Sequence, residues 1–284
     1  MSLPSGYLSY YTVQHPEHFE DDWRVFYETN NRSTKRVRAS FPHVLDVAYG
    51  QDSKQKLDLY LPHQCEQSSP VLLLLHGGGF VEGDRADYGF LAEPYVERGI
   101  VVAIASYRMT TEGFAFPDQL NDAKSAVRWL HDQVSRYGGN GKAIVVGGHS
   151  VGAILAAQLG VDRNWMLPMG LARDVVPAII CVSGRYLFPD DERDFIAYVP
   201  TPQQRELASP ILHIVDPVPS IVVAVGSKES AYLEPSRKFC SDLEQSPIES
   251  ELLVMDGYNH QDTLYSFCST TSPLFLAILG VLRP

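Results

Sequence analysis

Short apolar runs alternate with amphipathic stretches along most of this chain, and the alternation is regular from Lys56 onward. Runs of β-branched and aliphatic residues predict strands at 44–49, 56–61, 71–75, 101–106, 143–148, 178–183, 221–226 and 251–255. Helical patterns fall between or after them, at 87–98, 117–137, 151–161, 234–246 and 263–282. In the second helix Leu120, Ala123, Val127, Leu130 and Val134 recur three and four residues apart, which puts them on one buried stripe. Pro117 opens that helix and Gly138 with Gly139 closes it. Strands alternating with helices predict an α/β fold: a mostly parallel, eight-stranded sheet covered by helices on both faces.

Two segments break the alternation. Residues 14–41 are charged and aromatic, with Phe19, Trp23, Phe26 and Tyr27 at near-helical spacing, and they read as a helix laid across the mouth of the fold. Residues 184–219 carry Tyr186, Phe188, Phe195 and Tyr198 among many prolines, where a regular crossover helix is hard to see. Both are candidate cap elements of one domain spanning 1–284, the alternative being plain surface excursions.

Composition narrows the function classes. Across 284 residues, 45% are hydrophobic, enough for a large core, and 34 acidic against 23 basic side chains give a net charge of −11. That charge opposes nucleic acid and anionic membrane surfaces as partners and leaves a small-molecule substrate as the expected one. Lys35, Arg36 and Arg38 are the nearest approach to a basic patch and read as a solvated helix face. The first residues lack a secretory signal pattern, and the apolar run 273–282 is too short to cross a bilayer, so the expected location is the cytoplasm. Cys65, Cys181, Cys240 and Cys268 are scattered and read as isolated thiols. The oligomeric state stays open, a homodimer included.

The candidate chemistry centres on Gly148-His149-Ser150-Val151-Gly152, a Gly-x-Ser-x-Gly between an apolar strand and an Ala/Leu-rich helix. A serine hydroxyl is a weak nucleophile and needs a base, an orienting acid and donors for the oxyanion. His76-Gly77-Gly78-Gly79-Phe80 follows a buried strand and can aim the N–H groups of Gly78 and Gly79, with that of Val151, at an oxyanion. Among nine histidines, His260 follows the last strand and is the expected base, whereas His213 lies in the cap segment and His76 reads as structural. Glu229, after the penultimate strand, is the expected acid, with Glu234 next. Asp256 and Asp262 read as turn and helix-cap residues. Phe80, His149, Tyr186, Phe188 and Tyr258 are candidates for the substrate pocket, or for ordinary packing.

Taken together, His76 to Phe80, Ser106-Tyr107-Arg108, Phe116-Pro117-x-Gln119-Leu120-x-Asp122, the Gly148 to Gly152 motif and Asn259-His260 resemble the α/β-hydrolase superfamily. The likeness runs from about Leu45 to the C-terminus and is best to the branch of small carboxylesterases, hormone-sensitive-lipase-like esterases and kynurenine formamidases. It implies an α/β-hydrolase fold with a small cap, a Ser150, Glu229, His260 triad, ester hydrolysis through an acyl-serine, and no cofactor or metal. An arylformamidase acting on N-formyl aromatic amines and a non-catalytic binding protein on the same fold are the alternatives. Two departures stand out: Val151 is β-branched where relatives carry alanine or glycine, and Met109-Thr110-Thr111-Glu112 replaces an Ala-Pro-Glu segment.

Overall fold

The computed structural model describes residues 23–64, 68–189, 199–215, 219–245 and 249–282, so Phe19, Phe195, Tyr198 and Cys65 lie outside the described residues. Eight strands form one sheet: β1 (His43–Ala48), β2 (Lys56–Tyr60), β3 (Ser69–Leu75), β4 (Val101–Ala105), β5 (Gly139–His149), β6 (Ala178–Val182), β7 (Ser220–Gly226) and β8 (Ser250–Met255). Their order is β1-β2-β4-β3-β5-β6-β7-β8. Only β2 runs antiparallel to its neighbours β1 and β4; every pairing from β4 to β8 is parallel. The central strands β4 and β6 are buried at every position, as apolar runs without polar alternation require of strands covered on both faces.

Nine α-helices are described: α1 (Trp23–Ser40), α2 (Arg85–Tyr88), α3 (Glu93–Val96), α4 (Asp118–Gln133), α5 (Val151–Val161), α6 (Pro202–Ala208), α7 (Ser230–Leu243), α8 (His260–Tyr265) and α9 (Pro273–Val281). All residues of α5 are buried. Its sequence, Val-Gly-Ala-Ile-Leu-Ala-Ala-Gln-Leu-Gly-Val, has no polar face to offer solvent and must be enclosed. Residues of α4, α5 and α7 join the core on one face of the sheet, and residues of α1, α3 and α9 join the core on the other.

Three predicted helices differ from those observed. The stretch 87–98 is broken into α2, a 3-10 turn and α3, with Pro94 near the start of α3. The single helix 263–282 is two, because Ser272 caps the Phe275 N–H and Pro273 opens a new first turn. The helix placed at 234–246 begins four residues earlier, so Pro235 lies inside α7. Proline has no N–H for the carbonyl four residues back, and the freed Ala231 carbonyl accepts from Arg185 Nη1 at 3.5 Å instead.

Of the two irregular segments, the first contributes α1. It is fastened to the body by polar ties: the Phe90 N–H donates to Thr34 Oγ1, Tyr265 Oη donates to Asn30 Oδ1, and Arg38 Nη2 meets Asp58 Oδ2 at 2.9 Å. Arg38 therefore departs from the solvated basic face expected of it, because its partner Asp58 is buried; Arg36, paired with Glu93, and Lys35 stay exposed. The second segment contains the short helix α6, which Thr201 and Gln204 cap reciprocally. Among the described residues, no helix is long and apolar enough to cross a membrane.

Candidate active site

Ser150 stands between β5 and α5 with φ +57°, a left-handed backbone that a non-glycine residue holds only under constraint. The constraint is visible around it. Ser150 N–H donates to the Val182 carbonyl at 2.8 Å. A Cβ at Gly148 would lie 2.1 Å from the Gly152 carbonyl oxygen, and one at Gly152 would lie 2.1 Å from that of Leu75. Strand and helix can approach this closely only without those side chains. Val151 N–H belongs to the first turn of α5 and has no acceptor within the helix. The Val151 side chain packs into the core with 5% exposure, so its extra bulk sits largely inside the protein.

Beside the elbow, β3 runs into the glycine loop. Gly78 and Gly79 both have positive φ, and the Gly78 carbonyl closes a turn by accepting the N–H groups of Val81 and Glu82. Gly77 lies against the elbow, since a Cβ there would come within 3.2 Å of both Ser150 Cβ and His149 Nδ1. His76 anchors the loop: its Nδ1 donates to the Gly77 carbonyl at 2.6 Å, and its ring stacks on Tyr107 at 4.4 Å. Tyr107 Oη donates back to the His76 carbonyl. Burial lowers the His76 pKa to about 4, so the imidazole is neutral near pH 7.

His260 opens α8. Asn259 caps this helix by accepting from the N–H groups of Gln261 and Asp262, while Asp262 reaches back to the Asn259 N–H. That is the cap role expected of Asp262, and Asp256 likewise serves a turn, accepting from Ser227 Oγ. His260 Nδ1 meets Glu229 Oε1 at 2.5 Å. The second oxygen, Oε2, accepts the Gly226 N–H at 2.6 Å and the Ser183 hydroxyl at 2.7 Å. Glu229 is buried, whereas the Glu234 side chain is 74% exposed and paired with Arg237. Of the two candidate acids, Glu229 is thus the one brought to His260.

Of the aromatic candidates for the pocket, four are buried and Tyr258 is partly so. Tyr186 has no exposed surface and stacks on Phe239 of α7 at 4.2 Å. Phe80 is 1% exposed between Tyr107 and Phe116, and Phe188 is also buried in the core. These large rings gain more from complete burial than from facing an open cleft. His149 is buried against His260, its Nε2 on the His260 carbonyl at 2.9 Å and its ring 4.4 Å from that of His260. Tyr258 is partly buried, and its carbonyl accepts the Lys228 N–H beside Gly226.

A second ring, that of Tyr232, stacks on His260 at 4.8 Å. Sequence reasoning passed over it, along with Ser183 and Thr263. Two signals were available: Ser183 is a polar residue at the exit of an apolar strand, and Thr263 is three residues from His260, on the same helical face. Among the described residues, no cluster of three His, Cys, Asp or Glu could hold a metal ion.

A mostly parallel sheet with this order, a serine turn after β5, a carboxylate after β7 and a histidine after β8 define the α/β-hydrolase fold. Residues 57–175 match the BD-FAE family. The chain is 26% identical over 250 residues to a probable isoprenylcysteine α-carbonyl methylesterase of Oryza sativa subsp. japonica, covering 76% of this chain and 57% of that protein. It is 30% identical over 170 residues to the kynurenine formamidase of Danio rerio, covering 59% of this chain and 54% of the relative. The chain thus spans little more than half the length of these curated relatives. Its fold is shared with a putative thioesterase from Silicibacter at a TM-score of 0.78, 18% identity, and coverage of 94% of this chain and 97% of the other. These likenesses are all to carboxylesterase-like α/β hydrolases, and the fold of this chain is the α/β-hydrolase fold.

Proposed function

We propose that this protein is a serine esterase that cleaves carboxylic esters of a small or aromatic substrate through an acyl-serine intermediate. The observation that carries the reading is the 2.5 Å contact of His260 Nδ1 with the buried Glu229, together with a serine held on a strained turn after β5. Glu229 fixes His260 with its Nδ1 protonated, which leaves Nε2 as the acceptor for the Ser150 proton. Ser150 Oγ then attacks the carbonyl carbon, and the N–H groups of Gly78, Gly79 and Val151 stabilise the oxyanion. His260 returns the proton to the leaving alcohol. Water repeats the sequence on the acyl-serine and releases the acid. The reaction needs no cofactor.

A second reading has its own support. A relative at 30% identity is a kynurenine formamidase, and the same groups would cleave an N-formyl aromatic amine with an amine in place of the alcohol as leaving group. Turnover of p-nitrophenyl acetate set against turnover of N-formylkynurenine separates the two. The esterase reading predicts hydrolysis of the acetate that is lost in Ser150→Ala; turnover of the formamide alone would replace it with the second.

A further inference from the structure

Behind His260 lies a run of polar side chains that the hydrolytic cycle does not itself consume. Ser183 Oγ, 2.7 Å from Glu229 Oε2, is also 2.8 Å from Thr263 Oγ1. Thr263 Oγ1 lies 2.9 Å from the His260 carbonyl and 3.3 Å from His149 Nε2. Ser183 and Thr263 have no exposed surface, so water does not substitute for these partners.

Counting protons gives the run a direction. The His260 carbonyl can only accept, so His149 Nε2, at 2.9 Å, must carry the hydrogen between them. Burial and the neighbouring His260 both lower the His149 pKa, which keeps its ring neutral with that one donor. Ser183 has a single hydrogen, and the carboxylate oxygen Oε2 is its strongest acceptor. Thr263 then has one hydrogen to offer either to Ser183 Oγ at 2.8 Å or to the His260 carbonyl at 2.9 Å. The His260 carbonyl can spare that hydrogen because His149 already supplies it.

Backbone strain points to the same group. Ser183 has φ +52°, and a glycine would adopt that conformation freely. The serine adds a hydroxyl aimed at Glu229.

We propose that Ser183, Thr263 and His149 form a directed hydrogen-bond chain that orients the Glu229 carboxylate and the His260 backbone, making Ser183 and Thr263 positioning residues of the hydrolase. Ser183 and the Gly226 N–H hold Oε2, which turns Oε1 onto His260 Nδ1. His149 holds the His260 carbonyl from the other side. This inference rests on the serine-hydrolase reading and assigns roles to residues outside its triad.

The test uses Ser183→Ala and Thr263→Val, with Thr263→Ser as the conservative control. Competent sites are counted by titration with a fluorophosphonate, and kcat and KM per titrated site are measured with p-nitrophenyl acetate. Positioning predicts that kcat per site falls roughly tenfold to a hundredfold in both variants with KM unchanged, and that Thr263→Ser restores it. The downfield proton resonance of His260 Nδ1–H should shift in both variants. A merely structural cluster would lower the melting temperature and the titrated fraction while kcat per site and the resonance stay at wild type, which would overturn the inference. Should Ser183→Ala not fold, Thr263→Val decides alone. An active wild type with unaffected variants defeats this inference only; a wild type that neither labels nor turns over defeats the hydrolase reading and the inference together.

Discussion

Gly152 leaves no room for a side chain, since its missing Cβ would meet the carbonyl oxygens of Leu75 at 2.1 Å and His76 at 2.5 Å. Both are backbone atoms at the end of β3, and neither can move without displacing the glycine loop. Gly152→Ala is therefore expected to lower activity by about two orders of magnitude, through a misplaced elbow and misdirected oxyanion donors. Activity within a few fold of wild type in a folded variant would contradict it. A second residue-scale prediction concerns Glu82, which accepts from Tyr27 Oη at 2.9 Å. Burial raises Glu82 from 4.5 to about 7, against the pull of the Tyr27 hydrogen bond. The folded protein thus holds this proton more tightly than the unfolded chain. Its contribution to stability is full below about 4.5 and is lost as pH rises through about 7. Melting curves should accordingly show wild type losing stability relative to Glu82→Gln across that window; a constant difference would rule the burial effect out. Such residue-scale facts were only partly readable in sequence. Glycine spacing announced the elbow, but nothing in the order of residues says that Glu82 meets Tyr27, 55 positions away.

At the scale of elements, the pattern of apolar runs located every strand to within a few residues, because the inner strands, such as β4 and β6, are buried at every position and leave short apolar β-type runs. Helices were less legible where proline acts in two ways. Pro273 starts α9, as a proline at the first helical position should, while Pro235 sits inside α7 because Arg185 serves the carbonyl it frees. Only a tertiary contact distinguishes the two cases. The two readings of the aromatic candidates could not be separated for a related reason: an aromatic in a loop reads the same whether it turns outward or, like Tyr186, inward onto α7. The first irregular segment shows how an element is tied down by charge. Asp58 of β2, 2% exposed, binds Arg38 of α1 and Arg85 of α2 and accepts the Asp46 N–H. Removing Asp58 takes the carboxylate from Arg38 and leaves Arg85 with the more exposed Asp46 and Asp84, so Asp58→Ala should cost about 3 kcal/mol. Chemical denaturation measures it, and a loss below about 1 kcal/mol would show that the cluster adds nothing beyond a surface pair.

For the whole molecule, chain order carried more information than any single motif. The Gly-x-Ser-x-Gly sequence, the glycine loop and the late histidine lie far apart along the chain, and a parallel sheet gathers the ends of β3, β5, β7 and β8 on one edge. That topology explains why the serine, carboxylate and histidine could be nominated from sequence, and why Ser183, at the end of β6 on the same edge, belongs among them. It also explains what sequence withheld: the edge fixes where a site forms, while the shape of the cleft depends on how rings from several loops pack. The central claim is that Ser150 is a nucleophile activated by His260. Fluorophosphonate labelling, read by intact mass and mapped to its peptide, tests it most directly. The account predicts one phosphonyl group per chain, on Ser150, lost in Ser150→Ala and sharply slowed in His260→Ala; an unlabelled native protein, or equal labelling of Ser150→Ala, would contradict it.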